Sequence, residues 1–126
     1  MLRVIWLVLL TAGIGAAQAA EPRGTDMGVD EVQDLGKLNG QALACRQFEA
    51  SKTAKALLIR HAPKTRTYGA LFESATNAAF VAQAQDPGGC PSEIEVGAGL
   101  SELSARLEQV FPGGMAPAPA STGPDP

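Results

Sequence analysis

Between residues 30 and 111 the apolar positions recur at intervals of three and four, with polar positions filling the gaps. Val32, Leu35, Leu38, Ala42 and Cys45 fall inside one arc of about 140° at 100° per residue, the buried stripe of a first helix. Asp30 with Gln33 three residues on predicts that this helix is capped at Asp30. Gly36 and Gly40 lie four apart inside it, each weakening the helix by up to about 1 kcal/mol relative to Ala but admitting a second backbone at close range. After Phe48 the phase turns by about 120°: Ala50, Ala54, Leu57 and Leu58 share a different face. One straight helix cannot bury both stripes, so a break is predicted near Glu49 to Ser51. The second run ends by Ala62, because Pro63 disfavours helical geometry in the residue before it.

A further helix is predicted from Thr67 to Gln85, with Tyr68, Leu71, Phe72, Ala75, Ala79 and Ala82 on one face. Asp86-Pro87-Gly88-Gly89 stops it. Pro91 suits a first helical position, and Ser92 with Glu95 forms a capping box. Val96, Leu100, Leu103, Leu107, Val110 and Phe111 then lie within about 100° of arc, a last amphipathic helix. No segment shows the period-two alternation of a half-buried strand. The predicted class is all-α, a small bundle of three or four helices spanning residues 30–111.

The flanks have other patterns. Arg3 precedes the apolar run Val4 to Leu10, and small residues follow as far as Ala17-Gln18-Ala19. That order of charge, apolar core and small-x-small site is a secretory signal peptide over residues 1–19. The apolar core falls short of the roughly 20 residues a membrane helix needs and no second apolar run of that length follows, so the chain left after cleavage is expected to have no transmembrane segment; the alternative is an uncleaved N-terminal anchor. Residues 20–29 read as a flexible leader. Residues 112–126, rich in Pro, Gly, Ala and Ser, read as a disordered tail.

Export changes how composition is read. Taking Arg3 from the 10 Lys and Arg leaves nine against 13 Asp and Glu. A net acidic chain of about 107 residues argues against nucleic-acid binding and fits one modest domain. With one Tyr and four Phe outside the signal, the core depends on small side chains.

Residues 39–69 hold Cys45, the lone histidine His61 and six Lys or Arg against one Glu. Cys45 and Cys90 are the only cysteines, and an even count in an oxidising compartment points to one structural disulfide. Their separation is unlike a close C-x-x-C redox pair. An alternative makes Cys45, His61 and Cys90 a metal site completed by Met27 or Met115, which requires both thiols reduced. The other expectation for His61 is a solvated side chain at a helix C-terminus, where its cationic form suits the backbone dipole. The cations Arg46, Lys52, Lys55 and Arg60 spread over about half of a helix surface, as in a solvated polar face. The loop from Pro63 to Tyr68 concentrates more, so Lys64, Arg66 and Tyr68 are the candidate contacts for an acidic protein segment or an anionic lipid head group.

The chain has no Gly-rich phosphate loop, no G-x-S-x-G elbow and no carboxylate pair with evident acid–base spacing. The expectation is a protein that is not an enzyme and uses no cofactor: a small exported accessory or interaction module, periplasmic or secreted, acting by contact with a protein partner not specified by the sequence. The alternatives are an acid-activated periplasmic chaperone, opened at low pH by repulsion among its cations, and a metal carrier.

Overall fold

The computed structural model describes residues 27–114. Their architecture is all-helical: α1 (Val29–Ala44), α2 (Phe48–His61), α3 (Arg66–Ala84), a 3₁₀ turn over Pro87–Gly89, and α4 (Glu93–Val110). The expected signal over residues 1–19 lies outside the described residues, as do most of the expected leader and residues 115–126 of the tail.

α1 is the centre of the bundle and touches each of the other three helices. Val32, Leu35 and Ala42 are fully buried in it. α3 runs parallel to α1 and seats on its two glycines. A Cβ added at Gly36 would come 2.6 Å from the Phe72 carbonyl oxygen, and one at Gly40 would collide with the Thr76 carbonyl. This is the close backbone approach the glycine spacing anticipates. α4 runs antiparallel to α1, and the Arg106 guanidinium reaches Glu31 at 3.3 Å and Asp34 at 3.4 Å. Burial disfavours the Arg106 cation, but hydrogen bonds and charge attraction from the two carboxylates outweigh it and raise its pKa. Val96, Leu100, Leu103 and Leu107 form the buried stripe of α4.

Two boundaries differ from expectation. α1 is not capped by Asp30. It starts at Val29, with Gly28 at φ 75° as the N-cap residue and no side-chain cap. Gly28 is pressed against the ring of Phe111, so a side chain there has no room. The Gly28 carbonyl accepts the first helical bond, from Val32 N–H at 3.0 Å. Asp30 and Glu31 sit in the first turn instead, where the helix dipole favours negative charge.

The break between the first two helices comes at Cys45–Gln47, before the expected Glu49 to Ser51. Arg46 adopts φ 60°. Gln47 N–H donates to the Ala42 carbonyl at 2.7 Å and Arg46 N–H to Leu43 at 3.2 Å. Those two bonds make a Schellman motif with arginine at the position usually held by glycine.

The ends are longer than 30–111. Tyr68 Oη donates to the Met27 carbonyl at 2.7 Å. Gly114, inside the expected tail, packs against the Arg60 carbonyl.

Candidate functional site

The disulfide joins Cys45 and Cys90 with Cα atoms 5.8 Å apart, as the count and compartment argument anticipates. Two residues past Cys45 and one past Cys90, Gln47 Nε2 donates to the Pro91 carbonyl at 2.7 Å. A covalent and a hydrogen-bonded tie therefore hold the α1–α2 break against the turn before α4. The Ser92–Glu95 capping box is present in both directions, at 3.2 Å and 2.7 Å. Its backbone N–H and hydroxyl at Ser92 hold the Glu95 carboxyl below the usual carboxylate range.

The metal candidates are not brought together. Both thiols are in the disulfide, while His61 sits at the far end of α2, about 20 Å of helix beyond Phe48. Among the described residues no group of three His, Cys, Asp or Glu is arranged to hold a metal ion. His61 is also not the solvated histidine expected: it is 8% exposed, and neither ring nitrogen has a hydrogen-bond partner. The reason is helical phase. His61 follows Leu57 by four and Ala54 by seven, so it continues the buried stripe of α2.

The three loop candidates separate. Lys64 is exposed in the loop after α2, and Arg66 is exposed at the first position of α3. Tyr68 is inside α3 and 8% exposed, its hydroxyl committed to Met27 and its ring edge-on to Phe111 at 5.5 Å. Tyr68 is a core residue and is withdrawn from the contact surface.

What sequence reasoning missed stands on α2. With the helix beginning at Phe48, residues Phe48, Lys52, Lys55 and Ile59 fall at i, i+4, i+7 and i+11, inside about 60° of arc. All four face solvent, and the two large apolar side chains are 59% and 62% exposed. Arg60 lies about 80° further round the helix from the edge of this stripe, next to Glu49. Lys52 is the one member with an ion pair, to Glu49 at 2.8 Å. Its hydrogen bond to Glu49, and then the attraction between their charges, raises the Lys52 pKa. Arg46, Lys55, Arg60, Lys64 and Arg66 have no carboxylate partner among the described residues. Placing the break at Arg46 would have exposed the stripe in the sequence.

Two open grooves flank α2. One, of about 690 Å³, runs between α2 and α4 over Leu57 and Leu100, with Arg46, Glu49 and Glu93 in its lining and Gln47 Oε1 buried without a partner. The other, of about 520 Å³, lies between α2 and α3 over Leu43, Leu58 and Phe72, with Lys55 and Glu73 on opposite walls. Mixed charge in both linings favours no ligand sign. The outer face of α2 is different, because its cations outnumber Glu49. Searches against protein-family models, curated proteins and solved structures return no match for the chain.

Proposed function

We propose that this protein is an exported, non-catalytic interaction module that acts by presenting a cationic helix face to an anionic partner. The observation supporting this is the distribution of charge. Six Lys or Arg against one Glu lie between residues 39 and 69 of a chain whose net charge is −3. In the fold five of those six lack a carboxylate partner among the described residues. Of the other exposed acids, Glu93, Glu95, Glu102 and Glu108 lie on α4, Asp30 on α1, Glu73 on α3 and Asp86 in the turn after it. A chain of net negative charge thus keeps a locally positive surface on a rigid scaffold, the arrangement that steers an anionic partner to one face.

The disulfide and the absence of a helix long and apolar enough to cross a membrane among the described residues are compatible with an extracellular or periplasmic location. In that compartment the signal over residues 1–19 is removed, and intact mass of the exported protein begins at Ala20. Retention of Met1 to Ala19 would instead make the segment an anchor.

The contact reading is tested on a sulfonate cation exchanger at pH 7. The oxidised protein is retained despite its net negative charge, and a Lys64→Ser/Arg66→Ser variant elutes at lower salt. Passage of the wild type in the void volume removes the reading.

A further inference from the structure

We propose that the anionic partner of the α2 face is a lipid bilayer surface, with Phe48 and Ile59 entering the head-group region while Lys52, Lys55, Arg60, Lys64 and Arg66 lie over anionic lipids. This rests on the cationic-face reading and narrows its partner.

Charge complementarity gives the sign of the partner, and the apolar residues give its kind. Phe48 and Ile59 stand about 16 Å apart along α2 with the two lysines between them. Both point outward at more than half exposure, a large cost to leave in water on a helix whose inner face is already filled by Ala54, Leu57 and His61. Helices that lie on membranes combine these features: apolar side chains reaching the acyl boundary and flexible Lys or Arg stems that spread to lipid phosphates.

The spread of cations favours the same partner. Lys55, Lys52 and Arg60 fan over about 140° of a convex surface, and Lys64 and Arg66 follow beyond the helix end. A folded acidic protein would have to match those positions with fixed carboxylates. Mobile lipid head groups rearrange beneath them. Glu49 on α2 and Glu93 across the α2–α4 groove are the acids beside this face, and the five cations outnumber them, so the net negative charge of the whole chain does not prevent docking.

The test is co-sedimentation of the oxidised, signal-free protein with two vesicle preparations, phosphatidylcholine alone and phosphatidylcholine mixed equally with phosphatidylglycerol. The expected result is at least tenfold tighter association with the anionic vesicles, lost at about 0.5 M salt where the Debye length is only a few ångströms. Lys55→Glu/Arg60→Glu loses at least about tenfold. Phe48→Ser/Ile59→Ser loses about fivefold or more on vesicles while keeping its retention on the sulfonate exchanger. All four positions are exposed, and circular dichroism verifies that both variants remain helical. Equal binding to the two preparations overturns the proposal, as does wild-type vesicle binding by Phe48→Ser/Ile59→Ser. If polyglutamate displaces the protein from vesicles at equal charge concentration, the partner is an acidic polypeptide and the lipid assignment falls. Because the exchanger reports the cationic face alone, a vesicle result can fail while that reading stands.

Discussion

The hydroxyl of Ser51 on α2 donates to Oδ1 of Asn39 on α1 at 2.6 Å, and Asn39 Nδ2 donates onward to Thr76 Oγ1 on α3 at 3.1 Å. Asn39 is 1% exposed and Ser51 3%, so three helices are registered by one polar relay inside the bundle. Removing the Ser51 hydroxyl leaves Oδ1 of Asn39 buried and unmet. Ser51→Ala is expected to lower stability by about 1–3 kcal/mol in urea unfolding. The Asn39→Leu/Ser51→Ala pair should cost less than the sum of the single changes, since both partners then leave together. Strict additivity would show that the two side chains are not coupled.

Two glycines in different helices give opposite signs for the same substitution. At Gly36 a Cβ meets the Phe72 carbonyl oxygen at 2.6 Å and the Ala75 Cβ at 2.8 Å, whereas at Gly97 it meets nothing within 4 Å. Gly97→Ala should therefore gain the intrinsic helix preference, about 0.5–1 kcal/mol. Gly36→Ala forces the α1–α3 crossing apart and should lose about 1–3 kcal/mol net. Equal shifts in the denaturation midpoint would mean that α3 does not seat on Gly36.

Arg46 holds a left-handed conformation at φ 60°, which costs an L-residue roughly 1–2 kcal/mol. Arg46→Gly relieves that strain but frees the unfolded chain, so a gain of several tenths of a kcal/mol up to about 1 is expected from thermal or denaturant unfolding. A loss exceeding about 1 kcal/mol would show that the Arg46 side chain contributes more than its backbone costs.

Reduction of Cys45–Cys90 releases a constraint across a sequence separation of 45. In the chain-entropy model that is worth roughly 4 kcal/mol, a large share of the 5–15 kcal/mol typical of a domain. Thiol titration of protein from an oxidising compartment should find no free thiols, and reductant should lower the unfolding midpoint. An indifferent midpoint would mean that the tie from Gln47 to Pro91 suffices.

The pH response of α4 follows from Glu95. Its carboxyl is held low by the Ser92 backbone N–H and then by the Ser92 hydroxyl. A carboxyl whose folded pKa is depressed stabilises the fold fully above its unfolded pKa and loses that contribution as pH falls through the folded value. Wild type should therefore lose more stability than Glu95→Gln between neutral pH and the acid range below ordinary carboxylate titration. Parallel pH profiles for the two proteins would remove the charged cap from the account.

The helices were legible because each depends on local spacing. Val96, Leu100, Leu103 and Leu107 repeat at three and four, and Ser92 with Glu95 closes its cap within one turn, so both need only neighbours in the chain. Gly36 and Gly40 signalled a close crossing but not which helix would fill it; the Phe72 and Thr76 carbonyls answer that only once α3 has folded back parallel to α1. Arg46 hid the α1–α2 break, because an arginine in a left-handed conformation has no sequence signature, and the misplaced break concealed the stripe from Phe48 to Ile59. Tyr68 had two sequence readings, the apolar face of the third helix and the loop before it, because its phenol is amphipathic; the Met27 carbonyl and the edge of Phe111, both remote in sequence, decide for the core. Periodicity, the Ser92–Glu95 cap and cysteine count thus determined the helical class, a bundle of three or four helices and the disulfide pairing. Tertiary packing decided which cations remain unpaired and which apolar residues remain outside, because both depend on the surfaces that other helices leave uncovered.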